Sequence, residues 1–163
     1  MKPKVLIIMG SDSDLAVMEE SAKVLAEFGV PCQITVASAH RTPERTLRII
    51  RKAEKDGVEV IIGGAGMAAH LPGVIASHTI LPVIGVPLDT SPLQGMDALL
   101  SIVQMPAGIP VATVAVGKPG AKNAGILACQ IIARKDASLR RALADHRKKM
   151  ACEVEEKAKK VER

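Results

Sequence analysis

The sequence predicts an α/β protein, a three-layer flavodoxin-like sandwich with a central parallel sheet and a C-terminal helical extension. Three observations lead there. Short β-branched runs alternate with amphipathic segments along the chain, as they do in βαβ units. The loops after the first three runs are small, polar or Gly-rich, and each opens a helical pattern. Finally, 163 residues with 48% apolar content bury one good core and are too few for two ordinary domains, so residues 1–163 read as a single domain.

The strand candidates are 4–9, 32–37, 58–63, 82–86 and 111–116, each rich in Val and Ile. Helix candidates lie between them at 13–28, 43–56, 67–78, 95–104 and 120–134. In the first, Leu15, Met18, Ala22, Leu25 and Phe28 recur at three- and four-residue steps before Gly29 and Pro31 end the pattern. The second begins at Thr42 as N-cap, with Pro43 in the first helical position. A last helix at 136–160 has no strand after it and is expected to pack on a neighbouring subunit. Five strands in this sequence fit the spatial order 2-1-3-4-5, which places a ligand beyond the carboxyl ends of strands 1 and 3, with strand 2 alongside.

Composition excludes several function classes. No apolar run reaches the roughly 18 residues of a membrane helix, and the first residues read as a strand rather than a leader. Cys32, Cys129 and Cys152 are scattered without zinc or disulfide spacing, so reduced thiols in a cytoplasmic protein are expected. The net charge of +5 resides in the tail: from Arg134 onward there are 11 Lys/Arg and 6 Asp/Glu, whereas residues 1–133 hold 11 of each. With Phe28 as the only aromatic residue there is no stacking platform, which argues against nucleic-acid binding.

Three loops would converge at the switch point: "GSDSD", "SAHRTP" and "GGAGMAAHLPG". Three helix N-termini, the hydroxyls of Ser11, Ser13 and Ser38, and the guanidinium of Arg41 would make a phosphate pocket without a Walker lysine. Asp12 and Asp14 are then free to accept hydrogen bonds from sugar hydroxyls or an amino group on the same ligand. Magnesium at the D-x-D pair is the rival reading, but it fits poorly: Gly-Ser separates the pair from the strand, and Leu15 follows it. His40 and His70 follow different strands of the convergent site and are the candidate acid-base groups. Taken singly, a cap or a loop hydrogen bond would account for any of these residues. His78 and His146 need only structural or solvated roles.

At these residues the chain resembles the N5-carboxyaminoimidazole ribonucleotide mutase family of purine biosynthesis. The resemblance runs through "MGSDSD", "SAHRTP", "GAGMAAHLPG", "LPVIGVP", "SIVQMPAGIPVATVAVG" and "NAGILA", to about residue 133. It implies conversion of the N5-carboxylated nucleotide to its C4-carboxylated isomer with no ATP, metal or organic cofactor, in a homo-octamer. It further implies that His40 is the acid-base residue and that Ser11, Asp14 and Arg41 bind the ribonucleotide, with Ser13 and Ser38 as phosphate-side donors. Ala65, Gly66, His70 and Leu71 would close over the carboxylate or CO2, His70 positioning it. The family usually reads G-A-G-G-A-A-H, whereas this chain has Met67 at the fourth position, beside the carboxylate pocket. The alternatives are a direct carboxylase, of aminoimidazole ribonucleotide or of another nucleotide as in nickel-pincer cofactor synthesis, and a non-catalytic mononucleotide sensor.

Overall fold

The computed structural model describes residues 2–162. Its centre is a five-stranded sheet of β1 (Val5–Met9), β2 (Cys32–Val36), β3 (Val60–Ala65), β4 (Val83–Pro87) and β5 (Ala112–Thr113). All pairings are parallel, in the order β2-β1-β3-β4-β5, as the alternating pattern predicts. Val5 of β1 aligns with Cys32 on one side and with Val60 on the other, so the ends of β1, β2 and β3 finish side by side.

Two cores form because successive strand residues face opposite sides. Val5, Ile7 and Met9 join Val60, Ile62, Ile84 and Val86 against α1 (Leu15–Glu27) and α5 (Gly117–Ile132). Leu6, Ile8 and Ile61 face α2 (Pro43–Asp56), α3 (Leu71–Ala76) and α4 (Met96–Val103). Every residue of β1 and β3 is buried, as expected of strands covered on both faces. The last helix, α6 (Ala137–Val161), is capped by Asp136, which accepts the N–H groups of Ser138 and Leu139. Leu139 is its one buried residue, so most of the basic C-terminal segment is exposed.

Several boundaries differ from expectation for local reasons. The third strand begins two residues later than expected and runs on through Gly63 and Gly64, whose missing side chains leave room for neighbours. A Cβ on Gly64 would overlap the sulfur of Met18. The third helix begins at Leu71 rather than 67, because Met67 takes a left-handed conformation with φ 55° that cannot continue a helix. The fifth strand contracts from six residues to two at the sheet edge. Thr42 occupies the N-cap position of α2, but its hydroxyl does not cap the helix. It accepts the Ser38 N–H at 3.0 Å and donates to the Ser38 carbonyl at 3.2 Å.

Candidate active site

Beyond the ends of β1, β2 and β3 lies a cavity of about 570 Å³. Its walls include Ser11, Ser13 and Asp14 after β1, and Ser38, His40 and Arg41 after β2. Ala65, Gly66, Met67, His70 and Leu71 line it from the end of β3 onward. All the site residues named from the sequence thus border one space except Asp12.

The first loop shows what its carboxylates do. Ser11 caps a short 3-10 turn, Asp12–Asp14, in a reciprocal box: the Ser11 side chain accepts from Ser13, and Asp14 Oδ2 accepts the Ser11 N–H at 3.0 Å. Asp12 Oδ1 accepts the Ser13 N–H at 3.1 Å and the Ser11 hydroxyl at 3.1 Å. Two of the N–H groups expected to be free for a phosphate are therefore engaged by the loop's own aspartates. The serine hydroxyls remain at the cavity wall, joined to each other by a 2.9 Å hydrogen bond from Ser13 to Ser11. Asp14 is buried, and that burial, reinforced by the Asp12 charge, pushes its carboxyl above the usual range against the opposing Ser11 N–H bond.

The second loop is tied down at its base, which fixes the direction of His40. Thr42 N–H donates to the Ser38 carbonyl at 3.0 Å, and Arg41 N–H donates to Ser38 Oγ at 3.2 Å. The buried Thr46 hydroxyl braces the same turn through the Thr42 carbonyl at 3.1 Å. The Arg41 side chain crosses to the first loop, where Nη2 donates to the Gly10 carbonyl at 3.4 Å. That one long contact leaves most of the fork's donors uncommitted.

The third loop brings His70 back over His40. His40 Nε2 and His70 Nδ1 are 2.8 Å apart, with the rings nearly perpendicular at 83°. One ring must donate and the other accept, so the pair retains this bond only while at least one imidazole is neutral. Both side chains are exposed to the cavity, within reach of a ligand. Met67 stands on the rim, 60% exposed, in a backbone conformation that costs an L side chain roughly 1–2 kcal/mol relative to glycine.

Thr90, after β4, also lines the cavity and was not singled out from the sequence. The available signal was the small polar run "DTS" directly behind a buried strand. The other two histidines lie elsewhere: His146 meets the Phe28 ring edge-on at 5.3 Å, and His78 is exposed at the end of α3. Cys32, Cys129 and Cys152 are free thiols, and burial pushes that of Cys129 up to about 11. Among the described residues no helix is long and apolar enough to cross a membrane.

Fold and cavity together define a doubly wound α/β protein with a paired-imidazole site at the strand-order switch point. Comparison with known families makes the class specific: the AIR carboxylase family model matches residues 4–153, and the chain belongs to that family. It is 60% identical over 161 residues to an N5-carboxyaminoimidazole ribonucleotide mutase of Pyrococcus horikoshii, covering 99% of this chain and 90% of that one. A Thermotoga maritima protein of the same name is 56% identical over 160 residues, covering 98% and 92%. Among solved structures, Treponema denticola PurE superposes with a TM-score of 0.90 at 30% identity, covering 99% of each chain.

Proposed function

We propose that the protein is an N5-carboxyaminoimidazole ribonucleotide mutase, producing 4-carboxy-5-aminoimidazole ribonucleotide in purine biosynthesis. The observation that carries the reading is the 2.8 Å His40–His70 pair, set in a cavity walled by three serines and Arg41 in a chain of this family.

The reaction exchanges one bond for another. The bond from N5 to the carboxylate carbon breaks, its electron pair stays on nitrogen, and nitrogen takes a proton. The released CO2 accepts an electron pair from ring carbon C4, and C4 then gives up its proton. One proton enters and one leaves, so substrate and product are isomers and the chemistry needs no ATP. A single imidazole can deliver the first proton and accept the second. His40 takes this role, with His70 as the positioning residue that orients its ring. Ser11, Ser13, Ser38 and Arg41 hold the phosphate end, and Asp14, with Asp12 behind it, serves the sugar hydroxyls or the amino group. Ala65, Gly66, Met67 and Leu71 surround the migrating carboxylate.

Residues 1–163 act as one catalytic domain of a cytoplasmic homo-oligomer, an octamer by family resemblance. α6 supplies subunit contacts, supported by its exposed Met150, Val154 and Val161. The family's description as AIR carboxylase favours one second reading, direct carboxylation of aminoimidazole ribonucleotide at the same site.

An assay of the purified chain separates the two. N5-carboxyaminoimidazole ribonucleotide, without ATP, added metal or bicarbonate, is expected to give the C4-carboxylated product. Product formed mainly from aminoimidazole ribonucleotide and bicarbonate would assign the direct carboxylase instead.

A further inference from the structure

We propose that Met67 is an apolar cap over the active site, whose side chain folds onto the bound nucleotide and retains the carboxyl group between its departure from nitrogen and its attachment to carbon. The proposal rests on the mutase reading given above. Three features of the position support it. The backbone at Met67 has φ 55°, where glycine is the default, yet a long side chain is present. That side chain is 60% exposed at the rim of the cavity, three residues before His70, so it spends its apolar surface on no core contact. Around it the lining is small, with Ala39, Ala65, Gly66 and Ala68, and the other bulky apolar residue of the lining, Leu71, is itself buried, which leaves Met67 as the exposed apolar side chain at the rim.

Methionine suits the task chemically. It is unbranched and flexible, so it can swing between an open rim and a closed contact, and its thioether is apolar enough to displace water from a neutral CO2 molecule. Loss of CO2 to solvent leaves aminoimidazole ribonucleotide behind, an abortive outcome that a closed, dry site suppresses. The cap leaves the proton chemistry of His40 unchanged and acts on the partition between recapture and escape.

The test follows the fate of the carboxyl carbon. Wild-type protein, Met67→Gly and Met67→Leu are each given N5-carboxyaminoimidazole ribonucleotide labelled with carbon-13 in its carboxylate, in buffer containing unlabelled bicarbonate. Label retained in product and aminoimidazole ribonucleotide released are measured against a protein-free control. Glycine suits φ 55°, so the Met67→Gly variant is expected to fold. Its expected result is a rise of roughly threefold or more in abortive release with matching loss of label, while Met67→Leu stays near wild type because it keeps the apolar bulk. Wild-type partition in Met67→Gly overturns the proposal, as does a change confined to KM or to oligomeric state. Complete loss of label by the wild-type protein also overturns it. A wild-type protein that forms no product from the N5-carboxylated nucleotide overturns the mutase reading itself, an outcome recognisable without either variant.

Discussion

His40 Nε2 lies 2.8 Å from His70 Nδ1, joining a loop that follows β2 to the N-cap residue of α3 across 30 positions of sequence. The bond fixes a flexible ring at the wall of the cavity.

Removing that partner is expected to cost turnover more than binding. His70→Ala should lower kcat by about 10–100-fold with KM changed little, the usual scale for losing a group that orients a working imidazole. His70→Asn places an amide nitrogen or oxygen near the position of Nδ1 and should recover part of the loss. Steady-state kinetics on the three proteins would check this, and equal kcat losses in His70→Ala and His70→Asn would remove the orienting role from His70.

Arg41→Lys keeps the charge and loses the fork. Lysine cannot present paired donors to a phosphate while also reaching the Gly10 carbonyl, so KM should rise by about tenfold with a smaller effect on kcat. Steady-state kinetics on the two proteins would check this, and an unchanged KM would remove Arg41 from the phosphate end.

Asp14 should trade stability for binding. Burial holds its folded-state carboxyl above the ordinary value of 3.8, so the folded protein binds that proton more tightly than the unfolded chain. Its favourable contribution is complete below 3.8 and is lost as pH rises through the folded value, leaving a buried charge at neutrality. Asn in its place still accepts the Ser11 N–H. Urea denaturation should therefore find Asp14→Asn no less stable than wild type at pH 7, with any advantage shrinking as pH falls through that window. Nucleotide affinity should fall by about tenfold or more, the scale of a lost hydrogen bond to a charged acceptor.

Two glycine-to-alanine changes should differ in cost because their obstacles differ. At Gly120, in the first turns of α5, an added Cβ would run into the backbone carbonyl of Ala115, which cannot move without shifting the chain between β5 and α5. At Gly64 it would meet the side chain of Met18, whose flexible thioether can rotate away. Denaturation should place Gly64→Ala within the roughly 1–3 kcal/mol of ordinary overpacking and Gly120→Ala beyond it.

The sheet order was legible because alternation of buried runs and amphipathic segments leaves few ways to wind five parallel strands. Convergence of the three loops followed from that order. Other features depended on contacts that spacing does not encode. Residues 67–70 carry a helical pattern, Met-Ala-Ala-His, but the left-handed turn at Met67 delays α3 to Leu71. In "GSDSD" the Ser11-x-x-Asp14 spacing is that of a capping box, so the turn of Asp14 onto the Ser11 N–H was open to a reading as a cap, whereas the turn of Asp12 onto the Ser13 N–H has no such signature. The hydroxyl of Thr42 has stronger partners in Ser38 than at the helix it precedes. Thr90 enters the cavity from a strand beyond the switch point, where the rule for locating ligands no longer singles out a loop.

The measurement that tests the account most directly follows the hydrogen on C4. With substrate deuterated at C4, wild-type protein should release deuterium to water in step with product. His40→Asn should bind the nucleotide within severalfold of wild type while releasing deuterium at least about 100-fold more slowly. Release at the wild-type rate from His40→Asn would contradict the assignment of His40 as the group that carries the proton.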